Sequence, residues 1–284
     1  MDPDEVRAGQ RATWAGLAVG WERWDDVIVD QLAPVATAMI DALDVGPESH
    51  HLDVASGTGE PGLTIARLAP AGRVVLTDLA EEMLAVALRR ADAMGTGNVE
   101  VQVCSADDLP FDDGSFDSTS VRFGLMFFPD IGAALAELVR VLKPGGRFAA
   151  SVWIDPTANP WTTIAMEAIA SEVELPAPAP DGPGMYRCAA PGQVADLCRA
   201  AGLVDIDERD VAVDLVTATP EEYWQMISEH VSLAVAALDR ATPDQRARIA
   251  ARAIEAVAPY VRDDGVHVPG MARCTSGAKP AVPA

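Results

Sequence analysis

The chain has 284 residues, 49% of them hydrophobic, with 43 acidic against 21 basic side chains for a formal charge of −22. That is material for one α/β domain with additions. The charge opposes nucleic acid and anionic membrane surfaces, and no apolar run reaches the roughly 18 residues of a membrane span. No signal-peptide pattern opens the chain, which reads as cytoplasmic. Lysine occurs only at Lys143 and Lys279 and alanine abounds, a bias that suggests a high-GC bacterial source. Cys104, Cys188, Cys198 and Cys274 make no C-x-x-C pair. Neither they nor His50, His51, His230 and His267 show metal-ligand spacing, so no metal site is readable.

Residues 1–46 read as a helical cap of two helices. The first carries Trp14, Trp21 and Trp24, and the second repeats Leu32, Val35, Met39 and Leu43 at helical spacing. Alternating elements follow. Strands are expected to end at Asp53 and to cover 73–78, 99–104, 116–124 and 147–153, with helices over 60–68, 81–94 and a span capped by Asp130. Pro144-Gly145-Gly146 reads as a break before the fifth strand. Such β-α-β alternation predicts a doubly wound, mainly parallel sheet. The later chain is less regular. A proline-rich surface loop is expected at 176–180, a helix at 193–201, a sixth strand at 204–215, helix over 220–262 and a closing strand at 266–275. The whole reads as one domain, with a core at 48–155 and acceptor-side helices and last strands in 156–284.

The stretch His51 to Gly62, HLDVASGTGEPG, organises the rest. It reads as the end of a buried strand, a glycine turn and the start of a helix, the place where an open α/β sheet builds a cofactor site. Gly57 and Gly59 lack the Cβ that would keep the backbone from a ligand. The spacing also satisfies G-x-G-x-x-G, but a dinucleotide needs free N–H groups there for its pyrophosphate. Pro61 removes one donor, and the carboxylates of Asp53 and Glu60 are expected to face that anion. Electrostatics favour S-adenosylmethionine, which has no phosphate and carries a sulfonium and an ammonium.

The pattern Asp53-x-Ala55-x-Gly57-Thr58-Gly59 resembles the first motif of class I S-adenosylmethionine-dependent methyltransferases, in the branch of ubiquinone and menaquinone biosynthesis. The resemblance implies a Rossmann-like sheet of seven strands and a donor held by this turn, Ser56 included. Asp78, at the end of the second strand, sits where an acidic side chain takes ribose hydroxyls. Leu79 and Met83 would flank the adenine. SADDLPF, from Ser105 to Phe111, is similar to the family's adenine-edge segment. Ser105 stands where many relatives carry aspartate, so Ser105 or Asp107 would take the exocyclic amine, and the Ala106 backbone the ring nitrogen. VRFGLMFFPD, from Val121 to Asp130, resembles the segment beside the methionine part of the donor. Arg122 would meet the donor carboxylate or a neighbouring carbonyl, Phe123 would border the donor, and Gly124 would give the methyl group clearance.

The acceptor side rests on residue types. Trp153, Asn159 and Trp161 follow the fifth strand, above the same crevice, and supply flat apolar walls with a few polar groups. Trp14 and Trp21 would form an aromatic lid, and Met126, in the segment after the fourth strand, would face the acceptor. Tyr223, Met226 and His230 fall at i, i+3 and i+7 and would share one helix face. His230 is the candidate general base. The reading is a methyltransferase acting on O, N or C of a small, largely apolar molecule, such as a secondary metabolite or quinone-like ring. The alternatives are a repurposed donor-binding protein of this fold and, further off, an NAD(P)-dependent oxidoreductase.

Overall fold

The computed structural model describes residues 2–176 and 182–281. The loop expected at 176–180 lies, beyond Pro176, outside the described residues. Helices α1 (Pro3–Arg23) and α2 (Asp25–Leu43) precede β1 (His50–Val54), α3 (Gly62–Leu68), β2 (Arg73–Asp78), α4 (Glu81–Met94), β3 (Val99–Val103) and β4 (Phe116–Arg122). Then come α5 (Ile131–Val141), β5 (Leu142–Trp153), α6 (Pro160–Ala170), α7 (Gln193–Ala200) and β6 (Val204–Thr217). Helices α8 (Pro220–His230), α9 (Ser232–Leu238) and α10 (Pro243–Ala256) lead to the hairpin of β7 (Val261–Arg262) and β8 (Gly265–Ala278). The strand order is β3-β2-β1-β4-β5-β8-β6, with β7 paired to β8. Strands β1 to β5 run parallel, and β8 lies antiparallel between β5 and β6.

The order reverses direction at β1, whose neighbours are β2 and β4, and a crevice opens there beyond the strands' carboxyl ends. Helices cover both faces, so β1 is buried from His51 to Val54 and reads as a continuous run rather than an alternation. Its core neighbours Val74, Val75, Leu76, Val121, Phe148 and Ala149 are almost fully buried. His51 lies within this core, its ring nitrogens hydrogen-bonded to the Ser118 and Ser120 hydroxyls at 2.8 and 2.9 Å, and burial pulls it down to about 3.

Several boundaries differ from the sequence expectation: β4 stops at Arg122, β6 runs on to Thr217 and β8 to Ala278. Helix α3 starts at Gly62 rather than Glu60. The KPGG turn does not end before a strand but bulges within β5: Phe116 pairs with Leu142, and Ser118 next pairs with Arg147. The stretch 220–262 is three helices, a 3-10 turn and the short strand β7. Thr242 and Gln245 form a capping box at the start of α10, which stops α9 and α10 from merging.

The cap is fastened to α8. Gly20 sits against the Glu229 carbonyl so closely that a Cβ there would lie 2.1 Å from its oxygen. The Trp21 indole N–H donates to the His230 carbonyl at 3.2 Å, and that of Trp24 to Glu229 Oε2 at 2.8 Å. The last turn of α1 therefore fixes the last turn of α8. Among the described residues no helix is long and apolar enough to cross a membrane.

Candidate active site

A cleft opens above the carboxyl ends of β1, β2 and β4 and under α1. Ala55, Ser56 and Gly57 form its floor. Ala55 and Gly57 both have φ of +53°, and Phe123 on the facing loop has φ of +58°. Non-glycine residues held there cost energy that the surroundings must impose, and they gather at ligand sites. A Cβ on Gly57 would meet nothing within 4 Å, so that position looks into open cleft.

Asp78 lies at one end of the cleft, with Leu79 and Met83. Its carboxylate accepts from the Gly57 N–H at 3.0 Å and the Ala80 N–H at 2.9 Å. Burial raises its pKa against these bonds. The loop after β3 supplies Ser105, Ala106 and Asp107 to the same end. The Ser105 hydroxyl donates to Asp107, whose other oxygen takes Arg7 Nη1 of α1 at 2.6 Å.

Asp53, Thr58 and Gly59 do not reach the cleft wall. Asp53 is fully buried, accepting from the Ser120 hydroxyl at 2.6 Å and the Gly62 N–H at 3.1 Å, and burial pushes its carboxyl up to about 7. Glu60 accepts from the Thr64 hydroxyl at 2.8 Å and faces Arg90 Nη2 at 3.3 Å. Arg90 also binds the Thr58 carbonyl and pairs with Asp25 at 2.7 Å. The two carboxylates expected to confront an incoming anion are thus spent inside the protein. A different feature of the turn disfavours a pyrophosphate. Pro61 has no N–H, Gly62 N–H goes to Asp53, Leu63 N–H to the Gly59 carbonyl and Thr64 N–H to Glu60. The first turn of α3 has no free donor to offer a phosphate.

Three buried polar atoms on the cleft wall have no hydrogen-bond partner: Gln31 Nε2, Ser56 Oγ and Arg122 Nη1. Arg122 is tied through Nε to the Glu60 carbonyl at 2.8 Å, beside the carboxylates of Glu60 and Asp53, and the residue lines the cleft. Such orphans call for an explanation in a folded protein. A cation and hydroxyl beside an open glycine position fit an amino-acid carboxylate, and the residues suit S-adenosylmethionine. Gly124 also serves the packing of the turn. A Cβ there would stand 2.8 Å from the Ala55 Cβ, so the glycine lets two loops touch.

Aromatic rings line much of the same cleft. Phe123 stacks on Trp153 at 4.3 Å between ring centroids, Trp153 leans on Trp161 at 4.9 Å, and Trp161 lies nearly parallel to His230 at 6.3 Å. The run continues from His230 to Trp21 at 5.9 Å, Trp14 at 6.0 Å and Phe127 at 5.3 Å. All seven rings line the cleft. The rings form a belt whose first and last members, Phe123 and Phe127, belong to one short segment. Met126 lines the cleft beside it.

Two expected wall residues face elsewhere. Asn159 is fully buried: its Oδ1 accepts from the Met271 N–H at 3.0 Å and its Nδ2 donates to the Met271 carbonyl at 3.2 Å, joining the end of β5 to β8. Tyr223 lies deeper than His230 on the same helix. A buried phenol needs a partner, and its hydroxyl donates to the Trp161 carbonyl at 3.1 Å. Both act behind Trp161 rather than on the cleft. In return the cleft contains residues the sequence reading did not assign, among them Gln10, Gln31, Phe127 and Met185. Gln31 had a signal, since it interrupts the apolar stripe of Ile28, Leu32 and Val35. Met185 had none.

His230 lines the cleft and is 5% exposed. Its Nδ1 lies 2.7 Å from the Met226 carbonyl. A carbonyl only accepts, so Nδ1 carries the hydrogen and Nε2 keeps its lone pair. Burial lowers this imidazole to about 4.

Residues 23–173 match the ubiE/COQ5 methyltransferase family. Nocamycin O-methyltransferase of Saccharothrix syringae is 30% identical over 269 residues, covering 87% of this chain and 89% of that protein. The demethylmenaquinone methyltransferase of Thermus thermophilus is 46% identical over 108 residues, 37% of this chain and 47% of that one. The chain thus matches about half the length of the menaquinone relatives. Among solved structures, phosphoethanolamine N-methyltransferase 2 of Haemonchus contortus with S-adenosylhomocysteine has a TM-score of 0.53 at 19% identity, covering 87% of this chain and 52% of that one. The [4+2]-cyclase SpnF has 0.53 at 23%, covering 87% and 80%. These neighbours share the fold. With the family match extending from the end of α1 through the whole donor side of the cleft, the chain belongs to the ubiE/COQ5 methyltransferase family, whose methyl donor is S-adenosylmethionine.

Proposed function

We propose that this protein, a single domain working in the cytoplasm, methylates a small, flat, largely apolar acceptor bound within the ring belt. The observation that carries the reading is a single cleft lined both by ribose-type and carboxylate-type partners at the glycine turn and by seven rings. When bound, S-adenosylmethionine supplies a methyl carbon activated by its sulfonium, open to in-line displacement by the acceptor.

The chain's own residues bind, orient and exclude water. Asp78 takes the ribose hydroxyls, Ser105, Ala106 and Asp107 read the adenine edge, and Leu79 and Met83 pack on its faces. Arg122 and Ser56 hold the carboxylate. Trp14, Trp21, Trp153 and Trp161 orient the acceptor by their faces and edges, and the apolar wall favours dispersal of charge in the displacement. Positioning of this kind supplies several kcal/mol of a barrier. His230 Nε2 accepts the proton of an acceptor hydroxyl.

A direct test is incubation of the protein with methyl-tritiated S-adenosylmethionine and separate panels of hydroxylated aromatics, aliphatic amines and oligonucleotides. Label should enter a ring compound. Label in oligonucleotide alone, or in none of the panels, contradicts the reading. Asp78→Ala should weaken S-adenosylhomocysteine binding by about 1.5–3 kcal/mol, the scale of hydrogen bonds to a charged group. Calorimetry on the folded variant checks it, and unchanged affinity removes Asp78 from the ribose.

A further inference from the structure

Gln31 faces the cleft from α2 between Ile28 and Leu32. The residue is 4% exposed, yet Nε2 has no partner. An amide stripped of water with nothing in exchange destabilises a fold, and native proteins retain few such groups. A ligand must therefore complete it. The other two orphans on the wall, Ser56 Oγ and Arg122 Nη1, complement the donor carboxylate. The cations of that donor need acceptors rather than another N–H, and its ribose and adenine edge are met, in the reading above, by Asp78 and by Ser105, Ala106 and Asp107. Gln31 is left for the second ligand.

We propose that Gln31 is a specificity-determining residue for the acceptor, its Nε2–H donating to a carbonyl oxygen on a flat ring that also bears the hydroxyl to be methylated. The inference rests on the methyltransferase reading above and names its substrate class, the hydroxy-carbonyl or keto-enol rings. Two observations agree with it. The ring belt suits a planar body. The imidazole of His230, weakened by burial to about 4, matches a hydroxyl made acidic by a conjugated carbonyl better than it matches a simple phenol or alcohol.

The test is calorimetry on the protein loaded with S-adenosylhomocysteine, titrated with 4-hydroxycoumarin and with 1-naphthol, which lacks the carbonyl. Wild type should bind 4-hydroxycoumarin at least tenfold more tightly. Gln31→Leu should bring the two to parity by weakening 4-hydroxycoumarin alone, with S-adenosylhomocysteine affinity unchanged. Free of ligand, it should also melt at a higher temperature than wild type, because the uncompensated amide is gone. Gln31→Met is the second variant should leucine pack poorly. Equal binding of the two rings by wild type, or by wild type and variants alike, overturns the proposal. So does loss of S-adenosylhomocysteine binding in both variants, which would assign the amide to the donor. Failure of wild type itself to bind S-adenosylhomocysteine would defeat the methyltransferase reading as well, and so is distinguishable from failure of this inference.

Discussion

Gly57→Val is expected to abolish measurable S-adenosylhomocysteine binding while leaving the fold in place. The φ of +53° at this residue disfavours any side chain, by about 1–2 kcal/mol and more for a β-branched one. That strain alone lowers stability without unfolding a domain of this size. The larger effect falls on the ligand. With no protein atom within 4 Å of the added Cβ, the valine enters the cleft at the point where the donor must pass close to the backbone. The same residue gives its N–H to Asp78, so displacement of the turn also misplaces the ribose partner. A loss of at least about 100-fold, or about 2.7 kcal/mol, is expected. Calorimetry and a melting curve on the same sample separate the two effects. Retained affinity in a folded variant would mean that the donor does not cross this turn.

His230→Ala should lower turnover of the true acceptor by about 10²-fold, the usual contribution of a general base, with donor affinity unchanged. The sign of the pH dependence follows from its burial. A base acts when neutral, and this imidazole stays neutral down to about 4. Acceptor kcat/KM in wild type should therefore hold from neutral pH to about 5 and fall only as the pH drops through about 4. An acid limb centred near 6.5, the ordinary histidine value, would show that another histidine or a solvated state of His230 controls the rate. Near-normal turnover by the variant would mean that positioning alone drives the reaction.

How far the sequence carried can be judged at particular residues. Strands β1, β2 and β4 were legible because each is a short run of strand formers ending in a chemistry-bearing residue. The glycine turn and Asp78 followed from spacing, since the geometry of a βα turn is local. Asp53 was misread for a physical reason. A strand buried on both faces shows no alternation, so nothing in the residue order says that its carboxylate points to Ser120 and Gly62 rather than into the crevice. The KPGG bulge looked like a terminator because glycine and proline end most strands, whereas pairing to β4 resumes beyond it. Tyr223 and His230 share a helix face, as their spacing requires, but depth along that face is decided by the packing of α8 against α6 and α1. The ring belt was invisible as such. It joins residues from α1, the segment after β4, the end of β5, α6 and α8, and only the fold brings them together.

The glycine turn, with its helix amides already bonded, is expected to receive S-adenosylmethionine and not a dinucleotide. A pair of calorimetric titrations of the wild-type protein, one with S-adenosylhomocysteine and one with NAD, decides between them. Saturable binding of S-adenosylhomocysteine with no detectable heat from NAD is the predicted result. Tight binding of NAD, with S-adenosylhomocysteine silent, would contradict it.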